Sequence, residues 1–223
     1  MIGVWSFEDC SSLTSVTIPD SITRIGSYAF QYCSSLKSVY CNVAYPPTLV
    51  SSAFGYSALE NIYVYAESVD TYKAKWRDYA DKIVSNNKSN SDSITFTYTS
   101  TDGKAINESN LNLVVKSNSY TNGVGTLVVY GTAIPDKAFY QCTTLKTITI
   151  PNSVSSIGDY AFQYCSSLKS VYCKPTTPPQ GGDDMFYNNA TGRKIYVPRA
   201  SESAYEAAEY WSDYAADIEP YDF

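Results

Sequence analysis

The segment YAFQYCSSLKSVYC occupies residues 28–41 and recurs without a change at residues 160–173. The two copies lie 132 residues apart, and the same offset relates Phe54 to Phe186. An identity over fourteen consecutive residues is too long to arise from composition, so the chain contains an internal duplication. Self-similarity of this kind identifies a repeat architecture before any secondary structure is assigned.

A shorter period of 23 residues runs inside each copy of the duplication. A period of this length lies in the range of leucine-rich repeats, in which each repeat supplies one strand and a short helical or irregular return. One phenylalanine anchors each repeat, and the set is Phe7, Phe30, Phe54, Phe139, Phe162 and Phe186. The chain is therefore expected to stack several repeats on one another in each half.

The strand of each repeat can be read from LTSVTI, residues 13–18. Val16 and Ile18 follow the two-residue period of a strand and are expected to point inward. Stacking then predicts three inward ladders, Leu13–Leu36–Leu59, Val16–Val39–Ile62 and Ile18–Cys41–Val64. Farther along the repeat, Gly26 is predicted to form a tight bend, and the Tyr-Ala-Phe-x-x-Cys segment after it is predicted to form one helical turn.

Residues 10–33 and 142–165 fit the pattern C-x-x-L-x-x-[IV]-x-[IL]-P-x-x-[IV]-x-x-I-G-x-x-A-F-x-x-C at nearly every position. With this pattern the chain resembles the BspA-like leucine-rich repeats of the Treponema/Bacteroides type. Residues 95–106, TFTYTSTDGKAI, resemble the lead-in strand of such arrays, and residues 195–218 resemble their C-terminal close. The resemblance implies a secreted or cell-surface bacterial protein associated with adhesion, although repeat folds serve many functions.

The expected fold is an α+β repeat solenoid of two short leucine-rich-repeat arrays, each built from strands and short helical turns and closed by a C-terminal helix. Residues 1–84 are the first array, which has no N-terminal cap and is expected to be truncated there. Residues 85–92 are wholly polar and are predicted to be a linker. Residues 93–223 are the second array.

The sequence also predicts the elements that close the ends of the arrays. In the first array, Ser68 is the expected N-cap of a helix with one apolar face, formed by Tyr72, Trp76, Tyr79 and Ile83. The second closing helix is expected at residues 201–218. The second array is expected to begin with capping strands that include LNLVV (111–115) and LVVY (127–130), joined by Asn122-Gly123.

Composition excludes several classes of partner. The net charge is −6 and the isoelectric point is about 4.6, which argues against nucleic acid and anionic membrane surfaces as targets. No apolar run is long enough to span a bilayer, and residues 1–10 lack the features of a signal peptide.

The six cysteines fall into two sets of repeat positions. Cys10, Cys33, Cys142 and Cys165 share one position, whereas Cys41 and Cys173 replace isoleucines of the inward ladder. The favoured interpretation is that they are small buried core residues. Disulfides between neighbouring repeats are the alternative. Zinc is disfavoured because the chain has no C-x-x-C motif and no histidine, and a thiol nucleophile would lack a histidine base.

The remaining motifs give little support for a catalytic, metal-binding or nucleotide-binding site. Glu8-Asp9 and Asp183-Asp184 are the closest acidic pairs, but adjacent side chains point apart, no second pair is seen at an equivalent repeat position, and calcium-loop spacing is missing. Phosphate-binding glycine loops and G-x-S-x-G are also missing. Pro46-Pro47 and Pro178-Pro179 are expected to stiffen loops. No catalytic residue, metal ligand or cofactor is therefore predicted.

Tyrosine is the unusual feature, with 22 copies. If Val39 and Cys41 point inward, Tyr40 points outward. The outward positions form a first tyrosine row (Thr17, Tyr40, Tyr63) and a second tyrosine row (Thr149, Tyr172, Tyr196), flanked by Lys37, Lys146 and Lys169. Aligned tyrosines offer flat area with a polar tip at low entropic cost, which suits protein or sugar contact. Alternatively, they only stack across strands to stabilise the sheet.

The candidate ligand-contacting residues are Thr17, Lys37, Tyr40, Tyr63, Thr149, Lys169, Tyr172 and Tyr196. The tyrosines of the turns, Tyr28, Tyr32, Tyr160 and Tyr164, are instead expected to be packing residues of the convex side. The leading hypothesis is an extracellular, non-catalytic module that binds a protein or glycan of a host or neighbouring cell. A structural spacer without a ligand is the second hypothesis, and an enzyme is the third. The sequence leaves the oligomeric state open.

Overall fold

The computed structural model describes residues 1–86 and 92–223. Contacts divide the chain into two compact units, Met1–Ser91 and Asp92–Phe223. Each unit has its own cluster of buried hydrophobic side chains. Most of the predicted linker, residues 87–91, lies outside the described residues, while Ser85 is the last residue of a strand.

The first unit has one main sheet of parallel strands in the order β1-β3-β5-β6 and a small parallel pair, β2-β4. The strands are β1 (Ser15–Ile18), β2 (Arg24–Ile25), β3 (Ser38–Cys41), β4 (Thr48–Leu49), β5 (Asn61–Val64) and β6 (Ile83–Ser85). Helix α1 spans Val69–Lys75, between 3-10 turns at Ala66–Ser68 and Arg77–Tyr79. Helix is thus a small part of this unit.

The strand register confirms the predicted ladder Val16–Val39–Ile62 and the Ile18–Cys41 step of a second ladder. Val16 pairs with Val39 and Val39 with Ile62, whereas Ile18 pairs with Cys41. These side chains point into the core because alternate residues of a strand face opposite sides. Ile18, Val39, Cys41 and Ile62 are fully buried, and Val16 is partly buried against them.

The second unit repeats this arrangement and extends it. Its strands are β7 (Ser93–Ser100), β8 (Val115–Thr121), β9 (Val124–Tyr130), β10 (Ala133–Ile134), β11 (Leu145–Ile150), β12 (Ser156–Ile157), β13 (Ser170–Cys173), β14 (Lys194–Pro198) and β15 (Ile218–Tyr221). The main sheet has the order β15-β14-β13-β11-β7-β9-β8, and β10 pairs with β12. Helix α2 spans Glu202–Ala207, and 3-10 turns lie at Glu108–Asn110, Arg199–Ser201 and Ser212–Asp217.

The strands that precede the repeats of the second unit run antiparallel to their neighbours. Strand β7 pairs with β11 on one side and with β9 on the other, and β8 and β9 form a hairpin. Asn122 and Gly123 both have positive φ at its turn, as a tight hairpin requires. The prediction of a strand at LNLVV was wrong except for Val115, because residues 111–114 form a loop between the 3-10 turn at Glu108–Asn110 and β8.

The phenylalanine anchors stack in columns, as the repeat spacing predicted. Phe30 lies between Phe7 and Phe54, with ring centroids 5.1 and 5.3 Å apart, and Phe162 lies between Phe139 and Phe186, at 4.9 and 5.2 Å. The rings are nearly parallel because equivalent residues occupy the same place in adjacent repeats. All of these rings except Phe7 are buried, and burial of aromatic rings stabilises the stacked repeats.

The predicted helical turn at Tyr-Ala-Phe-x-x-Cys was wrong. Tyr28 and Tyr32 have φ of 60° and 58°, which is left-handed backbone and is incompatible with a helix. The N–H of Phe30 donates to Ala53 O of the next repeat at 2.7 Å instead of to its own repeat. The segment therefore alternates between turn and inter-repeat hydrogen bonds. Its three-residue apolar spacing only imitates helical periodicity.

Gly26 is required by a close approach of two backbones, not by a tight bend. Its φ is not positive, but a Cβ there would lie 2.7 Å from Val4 N and 2.8 Å from Gly3 C. Gly158 and Gly182 show the same crowding against the preceding repeat. A side chain at this position would push neighbouring repeats apart.

The closing segments are shorter and less helical than predicted. Ser68 does precede α1, but its side chain makes no capping hydrogen bond, and α1 ends before Trp76. Tyr79 lies in a 3-10 turn and Ile83 in β6, so these residues do not share one helix face. In the second unit, residues 201–218 contain α2, a 3-10 turn and the start of β15.

Aromatic side chains of the closing segments hydrogen-bond to the loops that contain the paired prolines. In the second unit, Tyr205 donates to Pro175 O at 2.7 Å and Trp211 Nε1 donates to Pro179 O at 2.7 Å. In the first unit the equivalent bonds run from Tyr72 to Val43 O and from Trp76 to Pro47 O, both 2.9 Å. These bonds explain why each closing segment carries a tyrosine and a tryptophan.

Candidate functional site

The first tyrosine row lies on the outward face of the first unit's sheet. Thr17, Tyr40 and Tyr63 are in register on β1, β3 and β5. The rings of Tyr40 and Tyr63 stack with centroids 4.9 Å apart and planes inclined by 11°. Tyr40 is 39% exposed. Each ring therefore covers one face of the other, and the pair presents its edges and hydroxyl groups to solvent.

The second tyrosine row has the same geometry on the second unit's sheet. Thr149, Tyr172 and Tyr196 are in register on β11, β13 and β14, and the two tyrosine rings stack at 4.9 Å. Here a third ring is added, because Tyr221 of β15 lies 5.5 Å from both Tyr172 and Tyr196. Its plane is steeply inclined to theirs, by 71° and 63°, as in edge-to-face aromatic pairs.

Charged side chains flank both rows. Lys37 pairs with Glu60 at 2.9 Å beside the first row, and both side chains are more than half exposed. Lys194 pairs with Glu219 at 2.7 Å beside the second row, and this hydrogen bond raises the pKa of Lys194. Exposed pairs of this kind add little to stability, so their main effect is to set local charge. Lys169 is exposed.

The structure thus brings the candidate residues together in two groups, Thr17, Lys37, Tyr40 and Tyr63 in the first unit and Thr149, Lys169, Tyr172 and Tyr196 in the second. Sequence reasoning missed Tyr221, which belongs to no repeat. It also missed that the second row continues through Thr97, Thr126 and Ser119 of the antiparallel strands. The alternation of SITFTYTS, which buries Ile94, Phe96 and Tyr98, could have revealed the outward threonines.

The cysteines are free thiols, so the alternative of disulfides between repeats was wrong. Cys33 and Cys165 donate to the carbonyl oxygens of Phe7 and Phe139 in the preceding repeat, each at 3.0 Å. Burial raises the pKa of Cys41 and Cys173 to about 12 and that of Cys142 to about 11. Protonated thiols of this kind are poor nucleophiles and poor metal ligands.

The acidic residues of the second unit connect repeats. Asp136 Oδ1 accepts from Asp159 N at 3.0 Å, and Asp159 Oδ1 accepts from Asp183 N at 2.9 Å. Asp136, Asp159 and Asp183 thus form a column of single aspartates, which a search for adjacent acidic pairs does not detect. No three His, Cys, Asp or Glu side chains of residues 1–86 and 92–223 are grouped as a metal site would need.

The tyrosines of the turns lie outside the core and pack against other aromatic rings. Tyr28 stacks on Trp5 with centroids 6.1 Å apart, whereas Tyr32 is 46% and Tyr164 38% exposed. Tyr32 stacks on Tyr56 at 5.0 Å, which makes a second kind of exposed aromatic pair on the turn side of the first unit. Their left-handed backbone turns these side chains away from the column of phenylalanines.

Parallel strands in repeat register, stacked phenylalanines and outward tyrosines define a leucine-rich repeat protein. A family model described as the BspA type leucine rich repeat region matches residues 1–75 and 132–213 in six copies. Because these ranges make up well over half of the chain, the chain belongs to this family. No helix in the described part of the chain is both long and apolar enough to cross a bilayer.

One similar solved structure is a leucine rich cell surface protein from Faecalibacterium prausnitzii A2-165. It is 22% identical, the match covers 87% of this chain and 44% of that chain, and the TM-score is 0.27. The chain therefore spans less than half the length of that protein. No curated protein shows significant similarity to the chain.

Proposed function

We propose that the chain is a non-catalytic binding module of a secreted or cell-surface protein, and that its tyrosine rows contact a protein or glycan of a host or neighbouring cell. The observation that carries this proposal is the stacked pair Tyr40–Tyr63 on an outward sheet face, reproduced by Tyr172–Tyr196. The extracellular location rests on the family resemblance.

The tyrosine pairs are held in a fixed arrangement that is preorganised for binding. Each tyrosine pair sits on strands whose opposite faces are fully buried, for example at Val39 and Ile62, so the rings are held before a ligand arrives. A rigid aromatic surface loses little conformational entropy on binding. Polar neighbours in the adjacent outward positions, Ser15, Ser38 and Asn61, add hydrogen-bonding groups beside the first row.

We further propose that the chain forms two short solenoid arrays, residues 1–84 and 93–223, joined by a linker at 85–92. Separate hydrophobic clusters support this division. Each array would be closed at its C-terminal end by the segment that places Trp76 or Trp211 over the last phenylalanine of the column, at 6.2 and 6.0 Å. Two sites on one chain can raise avidity if both reach their ligands.

One observation favours the second candidate function, a spacer of a larger surface protein. The tyrosine rings cover each other's faces, which is also what cross-strand stacking for sheet stability alone would produce. A spacer would need no ligand.

The two functions can be separated by replacing Tyr40, Tyr63, Tyr172 and Tyr196 with Ser in one variant. We expect the variant to fold, because all four rings are on the solvent side of the sheets, but to lose attachment in cell-binding and glycan-array assays. A matched control replaces Tyr32 and Tyr56 with Ser, since these rings form a stacked, exposed pair on the turn side. Attachment that survives in the first variant would show that the rows do not bind, and a wild-type chain without any ligand would favour the spacer.

A further inference from the structure

The second tyrosine row already holds an aromatic side chain of the chain itself. The Tyr221 ring is equidistant from Tyr172 and Tyr196, at 5.5 Å, so one ring lies across both members of the stacked pair. Tyr221 reaches this position because β15 runs parallel to β14, with Pro198 paired to Tyr221. The row is therefore partly covered by an extended segment that presents a tyrosine.

The first tyrosine row has a different residue in the place of Tyr221. Strand β6 pairs with β5 just as β15 pairs with β14, because Ile62 is paired with Ile83 and Ile195 with Ile218. Three residues after Ile83 comes Asn86, which is the counterpart of Tyr221. Asn86 donates its backbone N–H to Val64 O at 2.9 Å, so the chain path continues in register, but an amide side chain cannot supply the third ring.

We propose that the two rows are in different states: the first tyrosine row is the one that takes a ligand, and the second is occupied by Tyr221. The ligand of the first row is an aromatic side chain, presented by an extended segment of a partner protein in the way that Tyr221 is presented to Tyr172 and Tyr196. This proposal rests on the proposed binding function and replaces two equivalent sites by one.

The second unit supplies the precedent that favours an aromatic side chain over a sugar ring. The stack of Tyr40 on Tyr63, with centroids 4.9 Å apart, covers one face of each ring. The pair also presents a row of ring edges, and ring edges carry the positive end of the aromatic quadrupole. The face of a partner's aromatic ring complements these edges, as the inclined ring of Tyr221 does in the second unit.

The surroundings of the first row suit a peptide segment. Ser38 and Asn61 lie in register in the neighbouring outward positions and can hydrogen-bond to a peptide backbone. The Lys37–Glu60 pair makes the nearby charge neutral, so an uncharged aromatic residue is not disfavoured. Tyr40, at 39% exposed, leaves one end of the ring pair open to contact.

Exchanging the residue types at positions 86 and 221 in the full chain tests whether Tyr221 makes the two rows differ in accessibility. Asn86→Tyr should cover the first row, and Tyr221→Asn should uncover the second. Nitration of tyrosines by tetranitromethane, read by peptide mass spectrometry, should fall several-fold at Tyr40 and Tyr63 in the first variant and rise several-fold at Tyr172 and Tyr196 in the second. Asn86→Ser controls for loss of the native amide. Unchanged nitration in both exchange variants would overturn the proposal.

The ligand class is tested with a synthetic peptide of residues 218–222, IEPYD, and with the same peptide carrying Tyr221→Asn, which has no aromatic residue. In NMR titrations of the full chain, the tyrosine peptide should shift resonances of Tyr40 and Tyr63 and leave Tyr172 and Tyr196 unshifted, whereas the asparagine peptide should shift neither pair. A neutral oligosaccharide such as maltohexaose serves as the sugar probe. Shifts at the first row with the sugar but not with the tyrosine peptide, or none with either, would overturn the proposal.

Failure of this inference can be told apart from failure of the proposed function. In cell-attachment assays, Tyr40→Ser with Tyr63→Ser should abolish binding, and Tyr172→Ser with Tyr196→Ser should leave it. If the second pair abolishes binding and the first does not, the rows still bind but this inference is wrong. If neither pair matters, the proposed function itself is wrong.

Discussion

Cys41 and Cys173 stand where other repeats carry isoleucine or valine in the inward ladder, and each meets a tyrosine of its closing segment. Cys173 Sγ lies 3.4 Å from the Tyr205 hydroxyl, and Tyr72 is the corresponding tyrosine beside Cys41. Both thiols are fully buried. A small polarisable group fits this place because it fills the core and still contacts a phenol.

The buried thiols make stability depend on pH in alkaline solution. Burial raises the pKa of Cys41 and Cys173 from the ordinary value of 9.0 to about 12. The folded state therefore holds these protons more tightly than the unfolded state, so their contribution is complete below pH 9 and is lost as pH rises towards 12. Burial of Tyr72 and Tyr205 raises the pKa of their hydroxyl groups and acts in the same direction.

We expect Cys41 and Cys173 each to contribute a fall of roughly 1–3 kcal/mol in the free energy of unfolding of its unit between pH 8 and pH 11, measured by urea denaturation. Cys41→Ala with Cys173→Ala should make the decline shallower, because the alanines have no proton to lose. A decline of the same slope in this double variant would show that the thiols are not responsible.

At the scale of elements, the closing segments differ most from the sequence prediction. Tyr72, Trp76 and Tyr79 have helical spacing, but their roles are set by what they contact. Tyr72 and Trp76 bind loop carbonyls, and Tyr79 packs edge-on against Phe54 at 5.6 Å. At Trp76 the backbone leaves the helical region, with φ of −102° and ψ of 57°, which ends α1. The chain then returns to the sheet as β6.

These bonds predict a specific loss of stability. Trp211→Phe removes the donor to the buried Pro179 O and leaves that carbonyl without the bond. An unsatisfied buried group of this kind costs about 1–3 kcal/mol, so the second unit should unfold at lower denaturant concentration. Tyr210→Phe is the matched control, since Tyr210 is 36% exposed and lies next to Trp211. Equal effects of the two substitutions would contradict the role assigned to the loop bond.

At the scale of the whole molecule, the duplication allows one side-chain change to be made in two equivalent cores. Phe30 and Phe162 lie in identical segments, and both are fully buried in the middle of a phenylalanine column. Because the two hydrophobic clusters are separate, each substitution should affect only its own unit.

Truncation of a buried phenylalanine to alanine costs about 3–5 kcal/mol. Calorimetry should show two thermal transitions, with Phe30→Ala lowering one and Phe162→Ala lowering the other. A single transition lowered by both substitutions would mean that the two units unfold together.

The sequence by itself determined the repeat, its inward ladders and the phenylalanine columns. These follow from spacing alone, because equal periods oblige equivalent residues to stack in register. Outward placement of Tyr40 and Tyr172 follows for the same reason, since strand alternation leaves no other face.

The backbone conformation of the turns and the position of Tyr221 beside the second tyrosine row could not be predicted from the repeat spacing. The turns take left-handed residues because their N–H groups bond to the next repeat, a contact that local spacing does not encode. Tyr221 covers Tyr172 and Tyr196 because β15 pairs with β14, whereas Asn86 occupies the same place beside the first row. Strands β6 and β15 lie outside the repeat period, so their register depends on packing over long sequence distances. That register determines which residue lies beside each tyrosine row.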